Sequence, residues 1–265
     1  MDVGAHPVDG PPVYQHLLDS GRCRLVAFEP QQEGYEQLKS ELSSPHLVYS
    51  TVLGDGTKQP FFRCRAPGMS STLRPDPRWM ELFPGFSEWS QIVAEHQVPT
   101  TRLDDIAETD STDFLKIDVQ GAESKILKYA QKALSHAVVV HTEVSFNPLY
   151  QGEGTFASLD QELRAAGFVF HTFAAINKRC FTPVMIDGDP HRGHNQFVQA
   201  DAVYIRNITQ LEKLTSIQIR KLCWLLHELY FSFDLVQWLL RQHDQTYDTR
   251  LHRSYAELIG LQVDQ

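Results

Sequence analysis

Cysteine is scarce and scattered in this chain: Cys23, Cys64, Cys180 and Cys223 stand far apart and share no ligand-like spacing. They read as buried or inert thiols of a reducing compartment, and a disulfide scaffold is excluded. The 12 histidines bring no metal pattern either. There is no H-x-x-x-H helix and no C-x-x-C, and His191 and His194 make only a lone pair in a polar loop, so no structural zinc site is expected. No apolar run approaches the roughly 20 residues that span a bilayer. No signal peptide is read ahead of the fold, because the first residues already look like a structural motif, and a cytoplasmic enzyme is the default. Positive charge is not in excess. Lys and Arg number 24 against 33 Asp and Glu, for a net charge of −9, which argues against a phosphate-tracking nucleic-acid surface. Internal repeats, low-complexity tracts and the G-x-G-x-x-G turn that cradles a pyrophosphate are all missing.

What remains is a globular composition, 42% hydrophobic and 11% aromatic over 265 residues. That is enough for one large α/β domain with an appendage. Short apolar runs alternate with helical stretches, the pattern of a mainly parallel sheet covered on both faces. Strands are expected over 24–28, 47–52, 114–118 and 137–143, with helices over 13–18, 31–42, 122–134 and 156–166. Residues 61–65 and 91–98 read as extra strands off the main pattern. Residues 66–89, rich in Pro, Gly, Ser and aromatics, read as an ordered lid, since loops this long are usually functional. Runs 168–173 and 200–206 have no crossover helix between them and predict a hairpin with a long loop. From 209 to 258 the period is helical throughout, so the chain divides into 1–207 and a helical extension, 208–265.

The stretch L-K-I-D-V-Q-G-A-E (115–123) is the most informative. A buried-looking strand ends on Asp118, and a Gly then turns the chain into a helix. Ligands of open α/β sheets sit at the carboxyl ends of strands, and a carboxylate there is costly unless it meets a partner. Glu143 ends the next expected strand in the same way. The pair could face one acceptor or share a divalent cation, and their mutual repulsion would raise one pKa, which suits a base. Glu123 reads as a first-turn acid favoured by the helix dipole. At the start, Gly4 and Gly10 let backbone approach a ligand ahead of a helix. Glu29 follows about 20–25 residues later, the spacing at which an acid grips ribose hydroxyls. Without a pyrophosphate cradle, a nucleoside lacking phosphates fits best, as in S-adenosylmethionine.

The pieces D-V-G-A-H (2–6), V-A-F-E-P (26–30), G-D-G (54–56), T-R-L-D-D-I (101–106), D-F-L-K-I-D-V-Q-G-A-E (113–123), T-E-V-S-F-N-P-L-Y (142–150) and N-Q-F-V-Q-A-D-A-V-Y (195–204) occur in that order. Together they resemble the FkbM-type family of S-adenosylmethionine-dependent methyltransferases over about residues 2–207. The resemblance implies a class I methyltransferase (Rossmann-like) fold, a mainly parallel seven-stranded sheet whose last strand is antiparallel. It implies methyl transfer, most often to oxygen of a sugar or natural product and sometimes to nitrogen. Carried over by position, Asp2, Gly4, Ala5 and His6 lie along the cofactor loop, with Glu29 and Pro30 at the ribose. Gly54 and Asp55 lie near the adenine, and Lys116 and Asp118 flank the methyl-transfer centre. Only Met1 precedes Asp2, so the first strand is expected to be largely missing from this chain.

The helical tail must bury its apolar face, on the sheet, over loop 70–86 as a substrate lid, or in a homodimer. A dinucleotide-dependent oxidoreductase is the first rival reading and lacks its glycine turn. A catalytically silent binding module is the second.

Overall fold

Short aliphatic runs pair much as their pattern demands. In the structure, a computed structural model describing residues 1–5 and 10–261, the strands in chain order are β1 (Asp2–Val3), β2 (Val26–Phe28), β3 (Leu47–Tyr49), β4 (Val52–Leu53), β5 (Lys58–Cys64), β6 (Ile92–Thr101), β7 (Phe114–Ile117), β8 (Val139–Ser145), β9 (Phe168–Arg179) and β10 (Gln196–Arg206). The main sheet has the order β3-β2-β1-β7-β8-β10-β9, and β4-β6-β5 form a small second sheet. Strands β3, β2, β1, β7 and β8 are joined by parallel pairing, while β10 runs antiparallel to both neighbours. The chain leaves β1 on one side for β2 and returns on the other for β7, which makes a switch point at the carboxyl edge.

The central strand is short rather than missing. Over two residues β1 pairs Asp2 with Ala27 and Lys116, and Val3 with Phe28 and Ile117. The flanking backbone is also paired: Lys116 N donates to Met1 O at 2.9 Å, Asp118 N to Val3 O at 2.9 Å, and Gly4 N to Phe28 O at 3.0 Å. The neighbours' groups that a missing strand would orphan are therefore satisfied here.

Helices α1 (Gln15–Asp19) and α2 (Gln32–Glu41) lie near the expected positions. The small helices α3 (Pro77–Met80) and α4 (Phe86–Trp89) order the 66–89 segment. Met80 and Phe86 of these helices, with Phe83 between them, pack with Leu73, Leu149 and Tyr150 in a satellite core. The expected helix over 122–134 breaks into α5 (Glu123–Leu127) and α6 (Gln131–His136). The cause is a distant cap: Asp104 Oδ1 accepts from Lys132 N at 2.9 Å, so a new helix starts there. The expected strand over 47–52 also divides, because Val52 and Leu53 pair with Thr100 and Thr101 of β6 instead. After α7 (Phe156–Ala165), the hairpin β9–β10 forms as expected, with longer arms.

The tail folds as α8 (Ser216–Tyr230), α9 (Phe233–Tyr247) and α10 (Leu251–Ile259). Thr215 and Gln218 form a capping box that starts α8. Leu222, Leu226 and Leu239 share an apolar cluster with Ala27, Val139, Val203 and Ile205 of the sheet. Packing on the sheet thus accounts for the apolar face, and the tail joins this cluster rather than the satellite core under loop 70–86. The change at 207/208 is one of secondary structure, and the core runs across it. Not every large apolar residue of the tail is covered: Ile217 is 62% and Trp238 42% exposed. Among the described residues no helix is long and apolar enough to cross a membrane.

This packing sets a contrast. Leu226→Ala should cost about 2–5 kcal/mol, the range for a buried leucine truncated in a core. Ile217→Ala should stay within about 0.5 kcal/mol, as surface changes do. Urea unfolding of both variants measures the difference.

Candidate active site

Alternation along neighbouring strands builds a polar row at the carboxyl edge. Asp2 lies opposite Lys116, and Lys116 opposite His141. Two residues further along β8, Glu143 lies opposite Asp201 of β10. With Asp118, just beyond β7, all six line one cleft of about 690 Å³. Gly4 and Glu29 line it too, so the three strand-end positions read from the sequence share one space.

Lys116 holds the row together. Its ammonium is 3.5 Å from Asp2 Oδ1 and 3.8 Å from Asp118 Oδ2. Burial alone would lower its pKa, but Asp2 and Asp118 outweigh that and hold the ammonium above its ordinary range. The Tyr14 hydroxyl donates to Asp2 Oδ2 from the opposite side.

The turn after Asp118 is strained in a useful way. Gln120 has a φ of +56° and Gly121 one of +93°, a conformation a side-chain-bearing residue keeps only when its surroundings enforce it. The enforcing contacts are present. Gln120 Nε2 donates to Asp118 Oδ1 at 2.9 Å and to Glu143 Oε2 at 3.0 Å. Ser71 Oγ donates to Gln120 O at 2.8 Å, and the Tyr150 hydroxyl reaches Gln120 Oε1 at 3.3 Å. Loop 66–76 is thereby tied to the site. Glu123 does cap the turn, accepting from Val119 N at 2.9 Å and Gly121 N at 3.2 Å.

Glu123 also belongs to a cluster that its first-turn reading left out. Carboxylate oxygens of Asp118, Glu123 and Glu143 lie within 4.8 Å of one another. Such crowding can draw in a divalent cation, but here an amide donor bridges two of the three. Burial raises the pKa of Asp118, takes Glu123 up to about 8, and takes Glu143, with Asp118 adding to the effect, well above its ordinary value.

The other part of the cleft is more apolar. Phe28, Val52, Leu53, Ala122 and Ile126 line it with Ala5 and Pro30. Glu29 is buried there, and its Oε1 accepts from Gln31 N at 2.8 Å. Gly4 must be glycine: its φ is +82°, and an added Cβ would fall 1.8 Å from Asp118 O. Gly54 and Asp55 depart from expectation. Neither lines the cleft, where Thr51, Val52 and Leu53 stand instead. The chain has already left for the small sheet, and Asp55 Oδ1 accepts from Thr57 N at 2.8 Å within its own turn. His6 lies outside the described residues. Residues that the sequence did not single out are His141, Asp201, Gln120 and Tyr150. For His141 and Asp201 the trace was an in-phase polar position on an apolar strand, as at Asp201 between Ala200 and Ala202.

A mostly parallel seven-stranded sheet with β10 reversed, and a polar cleft at its switch point, define a Rossmann-like α/β architecture compatible with a methyltransferase. The methyltransferase FkbM domain matches residues 2–170, and the chain belongs to that family. It is also similar to the 2-O-methyltransferase NoeI of Sinorhizobium fredii (strain NBRC 101917 / NGR234), with 24% identity over 165 residues. That match covers 58% of this chain and 65% of the relative. The chain thus spans less than two thirds of its relative's length. No solved structure matches.

Glu123 yields a pH test. Its carboxyl binds a proton more tightly in the folded than in the unfolded chain, so its contribution to stability is complete below about pH 4.5 and is lost as pH rises through about 8. Glu123→Gln keeps an acceptor for the two turn N–H groups. In urea titrations the wild type should lose stability between those pH values, and the variant should lose less.

Proposed function

We propose that this protein is an S-adenosylmethionine-dependent methyltransferase that methylates oxygen on a sugar or natural-product acceptor. The observation that carries the reading is the continuity of one cleft from the buried Glu29, past the obligatory Gly4, to the polar row.

The residues present fit the donor. Glu29 offers a carboxylate to ribose hydroxyls, and Phe28, Val52, Leu53 and Ile126 give an apolar wall for a base. The crowded carboxylates suit a cationic ligand better than a phosphate-bearing one. When bound, S-adenosylmethionine supplies an electrophilic methyl group. Everything else falls to the chain. Asp2 and Lys116 fix the floor of the cleft, and Asp118 and Glu143, joined by Gln120, offer hydrogen bonds that orient an acceptor. Such positioning can be worth roughly 7–11 kcal/mol of a two-reactant barrier. Ser70, Thr72 and Asn177 also line the cleft with polar groups suited to a hydroxylated acceptor. The relative's printed activity, 2-O-methylation, supports oxygen as the methylated atom. N-methylation of a peptide or small molecule, and a silent donor-binding module, are the alternatives that product analysis separates.

Titration calorimetry should show binding of S-adenosylmethionine and none of a nicotinamide dinucleotide. Glu29→Ala should weaken donor binding by about 1.5–3 kcal/mol, the range for a hydrogen bond involving a charged group. Wild-type affinity in that variant removes Glu29 from the ribose. Mass spectrometry of hydroxylated and amine-bearing candidates then assigns the methylated atom.

A further inference from the structure

We propose that Asp201 takes the acceptor's proton, and that Tyr230 of the C-terminal helices aims it by fixing the imidazole of His141. The inference rests on the methyltransferase reading above and assigns a base within that site. Both Asp201 and Tyr230 lie beyond residues 2–170, the part matched by the family.

The geometry is a chain of three side chains from three elements. Asp201, on β10, lies directly across from Glu143 in the β8–β10 register. Its side chain is 37% exposed and lines the cleft, so it can be reached by an acceptor. His141 Nε2 stands 3.9 Å from Asp201 Oδ2, in ion-pair range. The imidazole is otherwise buried, and its Nδ1 is 3.0 Å from the Tyr230 hydroxyl.

The proton positions follow from satisfiability. Among the described residues, His141 is the one hydrogen-bond partner of the Tyr230 hydroxyl. A partly buried O–H beside a ring nitrogen is best satisfied by donating to it, so we assign the hydroxyl as the donor to Nδ1. Burial, with Asp201 adding to it, holds the Tyr230 proton in place. A neutral imidazole whose Nδ1 accepts must carry its hydrogen on Nε2, and Nε2 faces Asp201. Burial would raise the Asp201 pKa, but His141 and Lys116 outweigh it and keep the carboxylate ionised. Its neighbours Asp118 and Glu143 are pushed the other way. Asp201 thus faces the cleft as an ionised carboxylate, whereas burial shifts Asp118 and Glu143 toward their neutral forms, the kind of division that marks base and acid in paired sites.

In the step, an acceptor oxygen lone pair forms the bond to the methyl carbon. The carbon–sulfur bond breaks with its electron pair going to sulfur, so the sulfonium becomes a neutral thioether. The hydroxyl proton moves to Asp201, which becomes a neutral carboxylic acid. A weak base suffices, because the hydroxyl grows more acidic as its oxygen gains positive charge. Asp201 is thus the catalytic residue of this proposal, while His141 and Tyr230 are positioning residues.

Two measurements on the full chain test it. Long-range 15N–1H spectra of protein labelled at histidine nitrogen read the His141 tautomer with no acceptor present, the peak being assigned with His141→Gln. Wild type should show hydrogen on Nε2, and Tyr230→Phe should lose that preference. Hydrogen on Nδ1 in the wild type overturns the proposal. The second uses S-adenosylmethionine with a panel of methyl glycosides as probe acceptors. Asp201→Asn should lower kcat by at least about 100-fold, the lower range for a general base, with KM and calorimetric donor affinity unchanged. Tyr230→Phe should lower kcat by about 10-fold, again at constant KM, a split that mere loosening of the fold does not produce. Wild-type kcat in Asp201→Asn overturns the proposal. A wild-type chain that binds no donor instead defeats the methyltransferase reading, and the tautomer spectrum still reports on Tyr230 and His141.

Discussion

The buried ammonium of Lys116, held between Asp2 and Asp118, is the interaction on which the cleft depends. A lone charge at that depth is costly, and breaking a buried pair from one side typically costs about 3–5 kcal/mol. Here the partners come from β1 and from the turn after β7, so the pairing is set by sheet register. It also compensates for the brevity of β1. Two residues give few ladder hydrogen bonds, yet Asp2 is gripped by Lys116 and by Tyr14. Side-chain electrostatics secures what strand length does not. The Gly4 turn follows directly, and its close approach to Asp118 O leaves no room for a Cβ. Donor loop and polar row are therefore one mechanical unit.

The same register crowds carboxylates, and the structure relieves the crowding in two ways. Gln120 places one amide between Asp118 and Glu143, at the cost of a left-handed backbone. Burial shifts Asp118, Glu123 and Glu143 toward their neutral forms, which eases the remaining repulsion. Asp201 escapes both remedies because His141 and Lys116 face it. A row of chemically similar acids thus becomes a set of unlike groups, by environment alone.

How much of this was legible depended on whether a feature was local or required register. Asp118, Glu143 and Glu29 were legible because each ends an apolar run, and strand ends meet at the carboxyl edge in any parallel sheet. The hairpin of β9 and β10 was legible from a missing crossover. The pairing of Glu143 with Asp201 was not, since nothing in either strand states which residue of the other it faces. His141 looked like one polar residue on a buried strand until Tyr230, 89 positions later, was packed against it. The break between α5 and α6 was hidden for the same reason, its cause being Asp104 on another segment. The G-D-G turn is a different case. Its motif was readable, but the chain crosses to the small sheet after Tyr49, and the three residues before the turn occupy the cleft instead.

The C-terminal helices join these two levels. The face of the sheet that carries the polar row is apolar further down, at Ala27, Val139, Val203 and Ile205. Left wet, each large side chain there would forgo about 1.5–3 kcal/mol of burial. Helices α8 and α9 cover that lower part, and the last residue of α8 is Tyr230, at the line where apolar gives way to polar. Phe231 then turns the chain in a left-handed conformation with a φ of +54°, so the helix ends where the row begins. The position of the Tyr230 hydroxyl is therefore a consequence of core packing. The leucines of α8 set the depth at which the helix sits, and that depth sets whether the hydroxyl reaches Nδ1 of His141. Burial and orientation are thus coupled in one helix. A change in its core face acts on the cleft through displacement of Tyr230, whereas removal of the hydroxyl acts on the imidazole with the packing left in place.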